Sequence, residues 1–172
     1  MRATTTPEAD TLGCHDKSSR PDLGLAITVY GILLGGIVYS HLVYFPPYLS
    51  GLPKSATALV HGPYALHDED FWINIHPVLI LSLIAALVLN WRVKPRRKLI
   101  AIPMVVYAAA IVATVFYFVP ELIAFRESPG STVTSAEWLV RAHRWMHLSL
   151  TRGALMLVAF IPLLMAMRRP PD

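Results

Sequence analysis

The sequence predicts an all-α protein, an integral membrane four-helix bundle with both termini cytoplasmic. Three observations carry that prediction. First, the 172 residues are 55% hydrophobic and only 15% charged, with a mean hydropathy of +0.50. A soluble domain usually has about a quarter of its residues charged. Second, four apolar runs, residues 23–45, 71–91, 99–119 and 145–167, are each long enough to cross a hydrocarbon core of roughly 30 Å at about 1.5 Å per residue. Third, the basic residues alternate along the chain. They collect in the N-terminal segment (Arg2, Lys17, Arg20), the second connection (Arg92, Lys94, Arg96, Arg97, Lys98) and the C-terminus (Arg168, Arg169). The first and third connections hold only Lys54, Arg126, Arg141 and Arg144. The positive-inside rule then places both termini in the cytoplasm and the two longer loops outside, as in a multi-pass cell-membrane protein. The formal net charge of +4 is accordingly a matter of topology and implies no nucleic-acid partner.

Residues 1–22 are polar, rich in turn formers and without periodicity, which predicts a disordered cytoplasmic tail. With some twenty polar residues ahead of the first apolar run, no signal peptide is expected. The one cysteine, Cys14, lies in this tail, so no internal disulfide can form. Residues 23–168 form the membrane domain. Its first helix contains Gly31-Ile-Leu-Leu-Gly35-Gly36, a small-residue motif expected to pack inside the bundle. That helix closes as SHLVYFPPYLSG, where Pro46 and Pro47 are expected to stop it and His41, Tyr44 and Tyr48 descend one face. The outer loop 46–70 carries His61, His67 and the acidic run Asp68-Glu69-Asp70. It is long for a bundle connection and predicts a functional cap. The second helix opens FWINIHP, with Trp72 at the interface and His76 before Pro77, which frees a carbonyl and bends the helix. The short basic segment 92–98 is a cytoplasmic hairpin. The third helix closes as YFVPELIAFRES, and a second outer loop, 120–144, contains a flexible stretch at 128–135. The fourth helix begins in WLVRAHRWMHLSLTR, and residues 169–172 are a short tail.

Topology brings the chemistry-bearing residues to one membrane face. His41, His76, Glu121, His143 and His147 all fall within about two turns of the outer end. His143 and His147 are spaced i, i+4, a ready half-site for a metal. Imidazoles in a bilayer are rare and mark functional sites, and bundles build metal centres from inward side chains on facing helices. The expected ligands are therefore His41, His76, His143 and His147, with Glu121 as a further ligand or proton acceptor. Imidazoles with one carboxylate suit copper or iron, or zinc, and not calcium or magnesium. Haem also fits, since two histidines on different helices can ligate iron axially. Arg144 and Arg152 would orient an anionic oxygen species or a phenolate. Tyr44, Tyr48, Trp72 and Trp145 would wall a small apolar substrate arriving from the lipid. The competing reading is a belt of histidines and aromatics that anchors helix ends at the headgroups. The chain has no phosphate-binding glycine loop, nucleophile elbow, HExxH, CxxC or paired ExxH motif, so none of those chemistries is indicated.

Three stretches together resemble the anthrone-oxygenase-like family of four-helix membrane proteins. They are GGIVYSHLVYFPP at the end of the first helix, TVFYFVPEL at the end of the third, and Trp138, Trp145 and Arg152 followed by an apolar helix containing Ala159-Phe160. The resemblance covers roughly residues 23–167 and implies an oxygen-dependent oxidation of phenolic polyketide anthrones to quinones. Many members have no assigned activity. The chain departs from the pattern at Ser149, where the family usually has His or Asn three residues before the helix arginine. His143 and His147 lie just upstream instead, and His76-Pro77 and the His61/His67 loop have no clear counterpart. The expectation is a metal-dependent oxidase or oxygenase acting on a small apolar or phenolic substrate. The alternative is a non-catalytic small subunit, or a haem- or metal-binding accessory protein. Either would sit in the lipid bilayer, as a homo-oligomer or with a larger membrane partner.

Overall fold

The computed structural model describes residues 11–127 and 132–169, with side chains from residue 22 onward. In chain order the elements are α1 (Thr11–Tyr39), a π-helical turn (Ser40–Tyr44), α2 (Phe45–Leu49), α3 (Lys54–Val60) and α4 (Asp68–Leu89). Then follow α5 (Lys94–Ala113), a second π-helical turn (Thr114–Phe118), α6 (Val119–Glu127) and α7 (Ser135–Arg168). Among the described residues there is no strand. Four stretches are long and apolar enough to cross a membrane: Asp22–Leu49, Asp68–Leu89, Lys94–Glu127 and Ser135–Arg168. α1 packs on α4 and α7, and α5 packs on α7 and α4, which closes a four-helix ring.

Several elements run further than the apolar pattern indicates. α1 begins at Thr11, within the segment expected to be disordered. Once a helix is nucleated by its apolar part, each further residue gains a hydrogen bond at little extra cost. Residues 1–10, 128–131 and 170–172, where the rest of the tail and loop expectations fall, lie outside the described residues. Pro46 and Pro47 do not stop the first span. They fall in α2 directly after the π turn, and the backbone stays helical through the junction, with Tyr44 at φ −82° and ψ −53°.

The π turns belong to the same logic. Each is five residues long and is followed by one residue and then proline: SHLVY-Phe45-Pro46 and TVFYF-Val119-Pro120. The Phe45 N–H bonds the Ser40 carbonyl and the Val119 N–H bonds the Thr114 carbonyl, five residues back instead of four. The wider turn relieves the clash that a proline ring makes with the carbonyl four residues before it.

The GxxxG motif is not a packing seam. A methyl group on Gly31 or Gly35 would meet nothing, whereas one on Gly36 would collide with the Phe71 ring. Close approach is thus displaced by one residue, to where α1 meets the start of α4.

Two apolar clusters fill the bundle. One, around Leu33, Leu79, Leu83, Ile100, Met156 and Leu163, occupies the end with the Asn90–Val93 connection. There Arg96 is 3% exposed and donates to the Arg169 carbonyl from Nε (2.9 Å) and Nη2 (2.5 Å), tying the start of α5 to the end of α7. The second cluster is aromatic and joins Tyr44, Phe45, Tyr48, Phe118, Phe125, Trp138 and Trp145. α3 caps it, burying Ala56 and Val60. Ser55 Oγ donates to the Tyr48 carbonyl (2.7 Å), and Thr57 Oγ1 lies 3.0 Å from the Arg126 carbonyl. At the start of α7, Thr134 and Glu137 form a capping box, which satisfies the first free N–H groups of the longest helix.

Candidate functional site

A cavity of about 550 Å³ lies between the two clusters, bordered by Leu33, Tyr107, Ala110 and Met156 on one side and Tyr44, Phe45, Tyr48, Phe118 and Trp145 on the other. Both π turns face it through Ser40, His41 and Tyr44 and through Thr114, Val115 and Phe118. Such turns recur at functional sites because the extra residue re-aims the side chains that follow.

Most of the wall is apolar or aromatic, and two polar assemblies interrupt it. The first is built on Arg152. Its Nη1 donates to Thr114 Oγ1 (2.6 Å) and its Nη2 to Ser149 Oγ (3.2 Å), while its Cζ stands 4.0 Å from the centroid of the Phe118 ring. Thr114 Oγ1 in turn donates to the Ala110 carbonyl (2.7 Å). Ser149 is fully buried and also meets His41 Nε2 at 3.1 Å. His41 Nδ1 lies 2.7 Å from the Ile37 carbonyl. A carbonyl only accepts, so Nδ1 carries the proton, and in neutral His41 the Nε2 lone pair accepts from the Ser149 hydroxyl. The order of donation is therefore Arg152 to Ser149 to His41 to Ile37.

The second assembly is His76 with Tyr107, whose hydroxyl is 2.6 Å from His76 Nδ1. No hydrogen bond joins His76 Nε2 to a described residue. The ring stacks on Trp72 at 5.8 Å, and Trp72 Nε1 donates to Asp68 Oδ2 (2.7 Å) at the cavity mouth.

The expected residues divide sharply. Arg152, His41, His76, Tyr44, Tyr48, Trp72 and Trp145 all line the cavity. His143, His147 and Arg144 are exposed on the opposite side of α7. The buried stripe of that helix runs Trp138, Ala142, Trp145, Ser149, Gly153, Met156. His143 and His147 each stand two residues before a member of the stripe, about 200° around the axis. The four-histidine centre therefore does not assemble, and among the described residues no three His, Cys, Asp or Glu side chains form a metal-holding group. His41 has both ring nitrogens hydrogen-bonded, Nδ1 to the Ile37 carbonyl and Nε2 to Ser149. Glu121 forms an ion pair with Arg141 (2.9 Å) away from the cavity.

No protein-family model, curated protein or solved structure matches the chain. The functional reading therefore rests on the site itself. Ser149, Thr114 and Tyr107 are the contributors that sequence reasoning missed. The available signal was a hydroxyl inside an apolar run, which in a membrane helix needs a partner.

The division gives a prediction. His41→Ala loses the bond to Ser149 and is expected to cost about 1–2 kcal/mol, measured by thermal unfolding in detergent. His143→Ala and His147→Ala should stay within about 0.5 kcal/mol of the parent. Equal losses in all three variants would mean that the face of α7 has been assigned wrongly.

Proposed function

We propose that the chain is a membrane-embedded oxidase or oxygenase that takes a largely apolar hydroxyaryl substrate and dioxygen. One observation supports this most: Arg152 brings a positive charge to the wall of an apolar, aromatic cavity. Among the described residues no carboxylate pairs with it. The bonds to Thr114 and Ser149 leave the guanidinium with donors to spare. A phenolate meets both demands, because its oxygen accepts charge-assisted hydrogen bonds and the rest of it is aromatic surface.

His76 supplies the proton acceptor. When its Nδ1–H donates to the Tyr107 hydroxyl, Nε2 presents a free lone pair. The phenol proton passes to His76 Nε2, and the phenolate stays on Arg152. Ionisation makes the ring electron-rich, and dioxygen is the oxidant. For a substrate with a methylene between two aryl rings, one dioxygen replaces both hydrogens by an oxo oxygen and releases one water. The resemblance to anthrone-oxygenase-like proteins agrees with this direction. The copper or iron centre expected from four histidines takes no part in the scheme, because its donors do not converge.

The test is oxygen uptake by nanodisc-embedded protein given a hydroxyanthrone, with quinone absorbance followed in parallel. One quinone per dioxygen, above the protein-free rate, is expected. Binding without uptake would refute the oxygenase step while leaving the ligand class.

We also propose that both termini and the Asn90–Val93 connection face the cytoplasm, which the distribution of Lys and Arg supports. In a Cys14→Ser background, an impermeant thiol reagent should label Tyr64→Cys and not Lys94→Cys in intact cells; the reverse pattern would invert the topology.

A second reading, a non-catalytic subunit of a larger membrane assembly, is favoured by the exposed His143, Arg144 and His147 on the outer face of α7. Co-purification of a constant partner, lost on charge reversal at Arg144, would support it.

A further inference from the structure

We infer that the substrate is a bilayer-dissolved molecule that reaches Arg152 sideways, through a window between α4 and the π-turn–α6 segment. This rests on the hydroxyaryl reading above and adds the route and the substrate class, an amphiphile with a polar head and an apolar body that lies in the window.

The window follows from helix lengths. α4 has 22 residues and its neighbour span, Lys94–Glu127, has 34, which at 1.5 Å per residue is about 33 Å against about 51 Å. Both are joined at one end by the short Asn90–Val93 connection. At the other end Arg126 Nη1 comes within 3.9 Å of Glu69 Oε1. The longer span is interrupted on the way by the π turn and Pro120, the features at which long helices depart from straightness. Between the two ends, the His76–Tyr107 hydrogen bond is the one polar contact between these two spans among the described residues. The stretch from that bond to the Glu69–Arg126 contact has aliphatic edges.

Those edges are continuous with the cavity and with the lipid-facing surface at once. Ile73 (67% exposed) and Ile80 on α4, and Val115, Val119 and Ile123 on the facing span, are exposed and also line the cavity. At the outer rim the lining turns charged, with Asp68, Glu69 and Arg126, while the flank is aliphatic. α3 lies over the aromatic cluster, fixed by Ser55 to Tyr48 and by Thr57 near the Arg126 carbonyl, and Tyr48 Oη ties α2 to α6 by donating to the Leu122 carbonyl (2.9 Å). The opposite end is filled by the apolar core below Tyr107. A cavity open at its lipid-facing flank admits what is dissolved in the bilayer. It also accommodates a tail, because apolar atoms left in the window exchange lipid for aliphatic side chains at almost no cost.

The experiment uses the full chain in nanodiscs and two probes, 2-bromo-4-dodecylphenol and the tail-less 2-bromo-4-methylphenol. Bromine quenches the indoles of Trp72 and Trp145 on arrival, so stopped-flow fluorescence reads uptake. Narrowing the window with Ile73→Phe or Val119→Phe is expected to slow uptake of the dodecyl probe tenfold or more, well beyond its effect on the tail-less probe. Widening it with Ile123→Ala should speed uptake, which keeps the test valid if a narrowed variant folds poorly. If window variants leave the rates alone while loosening the cap with Ser55→Ala and Thr57→Val speeds both probes, the route runs through the cap and the inference is overturned. If neither probe quenches the parent protein at any concentration, the hydroxyaryl reading itself fails, and the route falls with it.

Discussion

Arg152→Met should abolish binding of a hydroxyaryl probe, weakening it at least a hundredfold, while leaving the fold no less stable. The two halves of that result have separate causes. A phenolate held by a guanidinium in an apolar cavity loses a charge-assisted pair worth about 3 kcal/mol when the guanidinium goes. Stability moves the other way, because an arginine at membrane depth without a carboxylate partner carries a desolvation cost that methionine does not. Its neighbours keep other partners, since Thr114 retains the Ala110 carbonyl and Ser149 retains His41. Arg152→Lys should recover only part of the binding, for a single ammonium cannot hold Thr114, Ser149 and a ligand in fixed directions. The measurements are probe affinity by tryptophan quenching and unfolding temperature in the same detergent. Parent-like affinity in Arg152→Met would remove the anion-holding role outright.

The largest loss of stability is expected for Trp145→Ala, at about 3–5 kcal/mol. Trp145 is 1% exposed and stands edge-on to Phe45 (4.6 Å between centroids) and Phe118 (5.7 Å). Its Nε1 donates to the Phe118 carbonyl at 3.1 Å. It therefore fastens α7 to the residue that follows the first π turn and to the last residue of the second. Its removal opens a void next to the cavity and takes one donor from the Phe118 carbonyl. Trp145→Phe keeps most of the ring contact and loses the hydrogen bond, so about 1–2 kcal/mol is expected. Thermal unfolding of the pair separates packing from bonding; two equal small losses would show that the aromatic cluster is not what holds the capped end.

Placement of the aromatic wall was readable ahead of the structure. Tyr44, Tyr48, Trp72 and Trp145 fall at helix ends on one side of the membrane pattern, and all four line the cavity. The phase of α7 was not readable. In a soluble bundle an apolar stripe marks the inward face, but lipid is as apolar as leucine, so a membrane helix carries apolar residues all round. His143 and His147 looked inward because they are chemically interesting, and hydropathy offered no correction. The π turns add a second obstacle. Each inserts an extra residue per turn, rotating everything beyond it by about 100° relative to an unbroken helix.

By itself, then, the sequence determined four helices long and apolar enough to cross a membrane, the end of the bundle at which polar chemistry collects, and the residue types gathered there. Those follow from length, hydropathy and spacing, all local properties of the chain. Only the tertiary structure decided which polar residues meet. His41 and Ser149 are 108 positions apart, His76 and Tyr107 31, and Thr114 and Arg152 38. Each pairing depends on the rotation of two helices about their own axes. That rotation is set by packing at Gly36, Trp145 and the two π turns, where small, large and proline-linked residues lock the helices against one another.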